Sequence, residues 1–234
     1  MSKIKLPHAS GNSMSIAAPA SNPASDLTLT LPTTIGSNGQ YMKVDGSGNL
    51  GWITPPNEGW VKVFATSTTD GTGVLSVENT SLFDGTYKRS MIVMYHSMPT
   101  VDNEEVRFQV KVNGSYQTGN EYAYHWRQRT SAGSSTVTDN STANGHIPIA
   151  ENVGNAAGEG WEGVITWSDS TSTTHWKRFA WNITAGKNSG DMISNIGSGG
   201  VNGSDANTAL TGVKLLMSNG AFGAVHYAGF GLTL

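Results

Sequence analysis

The chain has no cysteine among its 234 residues, which excludes disulfides, thiolate zinc sites and thiol nucleophiles. Charge is scarce as well: Asp, Glu, Lys and Arg make up 13% of residues, and the formal net charge is −3. Fourteen Lys and Arg, nowhere gathered into a run, leave no electrostatic footprint for nucleic acid. No apolar stretch approaches the roughly 18 residues of a membrane-spanning helix, so no membrane insertion is expected. The start, Met1-Ser2-Lys3-Ile4-Lys5-Leu6-Pro7-His8, lacks a signal-peptide apolar core, and the expectation is synthesis in a reducing cytosol. Long helix formers are few, which excludes an all-α fold.

What is abundant is small and neutral. Gly, Ser, Thr and Asn account for 99 residues, and the hydrophobic fraction is still 37%, enough for a core. Modest net charge with that fraction argues for a folded chain. The expected class is all-β: an extended N-terminal segment followed by an antiparallel, jelly-roll-like β-sandwich.

Two textures divide the chain at about residue 58. Residues 1–58 hold six of the eight prolines and a thin scatter of apolar side chains. Leu27-Thr28-Leu29-Thr30-Leu31 alternates strictly and predicts a short half-buried strand. Ser13 to Ala18 reads as extended, and 41–44 with 50–53 as a hairpin around Asp45-Gly46-Ser47-Gly48-Asn49. Those Asp and Asn oxygens lack the spacing and closing Glu of a calcium loop, so the turn reading is preferred. A segment this small and this poor in apolar mass rarely folds alone. It must lie on another surface, its own C-terminal domain, symmetry mates or a different protein, and the side chains available to meet it are Ile16, Leu27, Leu29, Leu31, Tyr41, Val44 and Trp52. Pro55-Pro56-Asn57-Glu58-Gly59 reads as a stiff break.

Residues 59–234 carry about ten strand signals: 60–66, 73–77 after the Asp70-Gly71 turn, 87–96, 106–112, 119–128, 146–150, 161–168, 175–184, 211–218 and 223–234. Apolar residues on both faces of 87–96 suggest a central strand. Val106, Phe108, Val110 and Val112 alternate cleanly and end at Asn113-Gly114, a strong hairpin signal. Thr130 to Gly145 and Gly186 to Thr208 read as long polar loops, either functional or merely tolerated.

Catalytic signatures are missing. There is no Gly-x-Ser-x-Gly elbow and no phosphate-binding Gly-x-x-x-x-Gly-Lys loop. The six histidines never fall two to five residues apart, so no local metal pair exists, and neither metal nor cofactor is expected. For a glycan-cleaving enzyme the visible carboxylates are Glu104, Glu105, Glu159, Glu162 and Asp169, but adjacent Glu104 and Glu105 face opposite ways on a strand. The reading is non-enzymatic, with a polysaccharide depolymerase the least favoured alternative.

Aromatics carry more information. Tyr122, Tyr124 and Trp126 share one strand face, with His125 and Arg127 on the other. Trp176 and Arg178 oppose Phe179 and Trp181. Core filling is the default for any single ring. If one is exposed, the expectation falls on Trp126 or Trp176, which makes Trp126, His125, Arg127, Trp176 and Arg178 the candidate glycan or receptor contacts.

The N-terminal text has a family likeness. His8-Ala9-Ser10-Gly11-Asn12, Ser15 to Ala24, Leu29-Thr30-Leu31-Pro32 and the closing Gly39 to Trp52 resemble a segment recurrent in fibre-like virion structural proteins of tailed, marine-type bacteriophages. The match spans nearly all of 3–54. The usual form has Leu where Tyr41 and Met42 stand, and Ser or Thr near Gly51. The remainder resembles loosely the β-sandwich modules that follow such segments and end in patterns like Ala228-Gly229-Phe230-Gly231-Leu232. The resemblance implies a virion location, attachment of 1–58 to capsid, neck or tail proteins, and outward display of 59–234 as a homotrimer. Host-surface glycan is a further partner it leaves open.

Overall fold

The computed structural model describes residues 3–7, 10–17, 19–21, 23–55, 59–68, 76–131, 136–187 and 189–233. His8, the Asp70-Gly71 turn, residues 56–58 of the break, 73–75 of an expected strand and 132–135 of an expected loop lie outside them. Contacts divide the chain into two units, Met1–Pro56 and Asn57–Leu234.

The first unit holds two hairpins. β1 (Lys3–Pro7) pairs with β2 (Ser13–Ala17), and β3 (Tyr41–Val44) with β4 (Leu50–Ile53). Asp45 closes the β3–β4 turn by accepting from the Ser47 and Asn49 N–H groups at 2.8 and 3.1 Å and from Asn49 Nδ2 at 2.8 Å. The hydrogen bonds from Asn49 and Ser47 hold its carboxyl below the usual range. Trp52 donates Nε1–H to Thr34 O at 2.7 Å and lies over Gly36, where a Cβ would meet the ring at 2.5 Å.

Leu27 to Leu31 corrects the alternating-strand expectation. Only a single bridge, Thr30 to Asn49, forms there, and Leu27, Leu29 and Leu31 are all exposed. Alternation predicts a strand only where a second surface takes the apolar face, and within this unit none does.

Among the described residues the second unit is built from antiparallel strands, joined by turns and one short 3₁₀ segment, Gly203–Asp205. They are β5 (Gly59–Thr68), β6 (Ser76–Asn79), β7 (Arg89–Pro99), β8 (Glu104–Val112), β9 (Ser115–Tyr116), β10 (Tyr122–Thr130), β11 (Thr136–Asn144), β12 (Ile147–Val153), β13 (Gly160–Ser168), β14 (Arg178–Gly186), β15 (Met192–Val201), β16 (Leu210–Met217) and β17 (Phe222–Thr233). One sheet runs β11-β10-β15-β14-β13-β7-β17-β5, the other β12-β8-β16-β6, with β9 paired to the end of β8. The expected central strand is indeed interior, since β7 lies between β13 and β17. Asn113 and Gly114 both take positive φ (49° and 82°), as a two-residue hairpin turn requires.

The sheets face each other across one apolar core. Val106, Phe108 and Val110 of β8, with Leu215 of β16, meet Trp126, Phe179, Trp181, Ile165 and Ile92 of the larger sheet. Phe108 and Phe179 contact edge to face at 5.0 Å.

Both polar stretches read as loops contain strands instead. β11 pairs with β10, and β15 lies between β10 and β14. The reason is visible in the register. Gly197 is paired with Trp126 on one side and Trp181 on the other, and Gly199 with Tyr124 and Phe179. The bare glycine backbone is roofed by rings from the neighbouring strands, so the middle of β15 sits in the sheet without large inward side chains, which it supplies only at Ile193 and Val201. A Cβ at Gly197 would overlap the Trp181 ring and come within 2.6 Å of the Trp126 Cβ. Gly197→Ala is therefore expected to lower stability by about 1–3 kcal/mol, read from the urea midpoint at unchanged m-value.

Candidate functional site

Trp126 corrects one of the two exposure expectations. It is 1% exposed and packs in the core with Tyr122 and Tyr124, so its ring is closed to any ligand. Trp161, Trp167 and Trp181 are core residues too. Trp176 is 62% exposed. It precedes β14, which begins at Arg178.

The ends of β7, β13 and β14 come together at this point. Ser168 pairs with Arg89, and Trp167 with Phe179. A cleft of about 440 Å³ opens there on the outer face of the larger sheet, lined among others by Arg89, Thr166, Ser168, Asp169, His175, Trp176, Arg178 and Ser198. Trp167, whose buried indole N–H has no acceptor among the described residues, also borders it. A second depression of about 260 Å³ shares Trp176, Arg178, Phe179 and Ser198 and extends over Ala123, Gly200 and Asn202. Neither Arg89 nor Arg178 forms an ion pair among the described residues.

The 169–177 connection that presents Trp176 is tied down from within. Asp169 takes φ 49°, donates its N–H to Lys88 O at 2.9 Å and accepts from Ser172 N at 3.0 Å. Ser172 Oγ accepts from the Thr174 and His175 N–H groups at 3.2 and 3.1 Å and lies 3.1 Å from His175 Nδ1. Lys177 turns inward, 1% exposed, and its ammonium donates to Ser172 O and to His175 O at 3.1 Å. Burial lowers its pKa, against the opposing pull of Asp169. A buried ammonium on two carbonyls is the feature here that sequence reasoning missed. Its only signal was strand parity, which places Lys177 on the same face as Phe179 and Trp181.

Of the five expected contact residues, the structure brings together Trp176 and Arg178. His125 and Arg127 are exposed on β10, on the same outer face, and His125 pairs with Ser198 of the cleft wall. Arg127 pairs with Ile196 and borders neither depression.

Of the carboxylates offered for hydrolysis, only Glu159 and Glu162 share a depression; Glu104, Glu105 and Asp169 do not line it. That depression, of about 210 Å³, is separate from the cleft, and there Glu159 Oε2 accepts from Ala156 N at 2.8 Å. Glu162 and Asp169 stand seven residues apart along β13, about 23 Å at strand rise, far beyond the roughly 5–9.5 Å of a hydrolytic pair. Glu104 is buried and accepts from Ser218 Oγ at 2.6 Å and Asn219 N at 2.7 Å, while Glu105 emerges on the other face. Among the described residues no group of three or more His, Asp and Glu is placed to hold a metal ion.

Glu105 centres the other charged cluster. It accepts from Arg107 Nε at 2.5 Å and His146 Nε2 at 2.8 Å. Burial pushes its carboxyl up, but the bonds from His146 and Arg107 outweigh this and hold it below the usual range. Glu151 is shifted the other way, by burial first and then by the charges of Glu105 and Asp139.

Comparison with known family models, curated proteins and solved structures gave no match to this chain.

The two shifts have opposite consequences for stability. Glu105, with its folded pKa depressed, stabilises above the unfolded value of about 4.3, and that contribution is lost as pH falls through the folded pKa. Glu151, with its folded pKa raised, loses stability as pH rises through that value. Urea denaturation at pH 7 should show Glu105→Gln about 1–2 kcal/mol less stable than the parent and Glu151→Gln more stable. Both differences should shrink toward pH 3.

Proposed function

We propose that the chain is a non-enzymatic structural subunit of a tailed-bacteriophage virion, a fibre, knob or decoration protein. In this reading it works as a homotrimer, attached to capsid, neck or tail proteins by 1–58 and displaying the 59–234 sandwich. The observation that carries it is the surface of the N-terminal unit. Ile16, Leu27, Leu29, Leu31, Tyr41 and Val44 stand in water, and Ile35 is 97% exposed. Fully covering one such side chain stabilises by about 1.5–3 kcal/mol, so a row of them calls for a covering surface. Three copies of the segment supply one, and closed threefold symmetry leaves no open end.

Two further features agree with it. The resemblance over 3–54 falls on the same residues as the uncovered row. The winding of the sandwich also supports the jelly-roll reading. With β5, β6, β7, β8, β12, β13, β16 and β17 taken as first to eighth, the sheets run 6-3-8-1 and 5-4-7-2, with β14, β15, β10 and β11 extending the larger sheet beyond β13 and β9 paired to β8.

A second reading, attachment to host-surface glycan, is favoured by the exposed Trp176 beside Arg178 in an open cleft. A depolymerase is the least favoured reading, since of its carboxylates only Glu159 and Glu162 share a depression and Glu159 Oε2 is held by Ala156 N.

Light scattering after size exclusion should give a mass three times the 24.7 kDa of one chain. Replacing Leu27, Leu29 and Leu31 together by Glu should return it to one chain while the β-type circular dichroism persists. A well-behaved monomer of the parent chain at micromolar concentration would overturn the trimer.

A further inference from the structure

We infer that the cleft around Trp176 binds an acidic polysaccharide, a chain of sugar rings carrying carboxylate groups, laid across the indole. The inference rests on the glycan-attachment reading and narrows it.

Trp176 is the first observation. Tryptophan is highly buried on average, and here a ring stands 62% exposed beside a fully structured sheet. The connection that carries it is not loose: Lys177 is spent on holding the Ser172 and His175 carbonyls. A connection already ordered in this way gives up little backbone freedom on binding, which removes part of the cost of association. The C–H face of a pyranose is the natural partner of such a ring.

Charge narrows the class. Arg89 and Arg178 line the cleft without an ion-pair partner among the described residues, and Asp169 is the carboxylate in its wall. A guanidinium reads a carboxylate through two parallel hydrogen bonds, so two unpaired ones favour uronic acids over neutral sugars. A nucleic acid is disfavoured, because the whole chain is net negative with only 14 Lys and Arg.

Shape gives the length. The two depressions share Trp176 and Arg178 and open on either side of them, with volumes of about 440 and 260 Å³. One depression alone would suit a compact ligand. Two that meet at one ring suit successive residues of a chain.

The test uses the full-length protein and a panel of hexasaccharides: oligogalacturonate, alginate and hyaluronan, each beside its carboxyl-reduced neutral form. Calorimetry should show binding to at least one acidic member and loss of it in the reduced form. Trp176→Ala and Arg178→Gln should each weaken binding about tenfold or more, with thermal midpoints unchanged because both side chains are exposed. Arg129→Gln, an exposed cation on β10 away from the cleft, should stay within about twofold, as expected of a charge outside the contact. Binding to the neutral forms alone, or equally to both, overturns the acidic assignment and leaves glycan attachment standing. Acidic binding untouched by Trp176→Ala and Arg178→Gln overturns the site. No binding across either set overturns the inference and the glycan reading together.

Discussion

Within the larger sheet two indoles close over a glycine. Trp126 and Trp181 reach across Gly197 from opposite sides and bury nearly all of their surface there. Each ring removes about 150–250 Å² from water, worth roughly 4–6 kcal/mol as an upper bound. A Cβ at Gly197 would push both rings from this seat, on the seam where β10 pairs with β15. The outer surface of β13, β14 and β15, where Trp176 and Arg178 stand, exists because the inner surface is sealed in this way. Core and candidate site are the two faces of the same three strands.

The units differ in how they meet the cost of ordering a neutral, small-residue chain. In the sandwich, Gly, Ser and Thr form turns and thin strands while a minority of aromatics supplies the buried area. The N-terminal unit has the same small residues without that minority. Its order comes from turn chemistry: the Asp45 bonds, the Trp52 bond to Thr34, and two short hairpins. Such devices fix local shape but do not cover Leu27, Leu29 or Leu31. One unit is closed on itself, and the other is left with apolar surface to satisfy.

Legibility in the sequence followed where the burial comes from. Val106 to Val112 and the Asn113-Gly114 turn were readable because each residue advertises its own environment. β15 was not, because at Gly197 and Gly199 it carries no side chain and the cover comes from residues paired with them on other strands, Trp126, Trp181, Tyr124 and Phe179. Leu27 to Leu31 erred in the opposite sense: the pattern was present and the partner surface was not. At the site, parity separated Trp176 and Arg178 from Phe179 and Trp181. Trp126 had neighbours of the same kind, His125 and Arg127, yet parity alone cannot say which face of a strand looks inward. The neighbouring Tyr122 and Tyr124 decided that, by placing three rings on one side.

Each outermost strand carries something that discourages a further strand from adding to it. β11 is polar and holds Asp139, and β5 turns Lys62 outward and breaks register opposite Gly229 and Phe230. β12 contains Pro148 and two register shifts, and β6 is four residues long with Glu78 exposed. These are barriers to copies fusing edge to edge into continuous sheet. Edges guarded in this way leave the two broad faces, not the rims, as the surfaces through which one sandwich can meet another body.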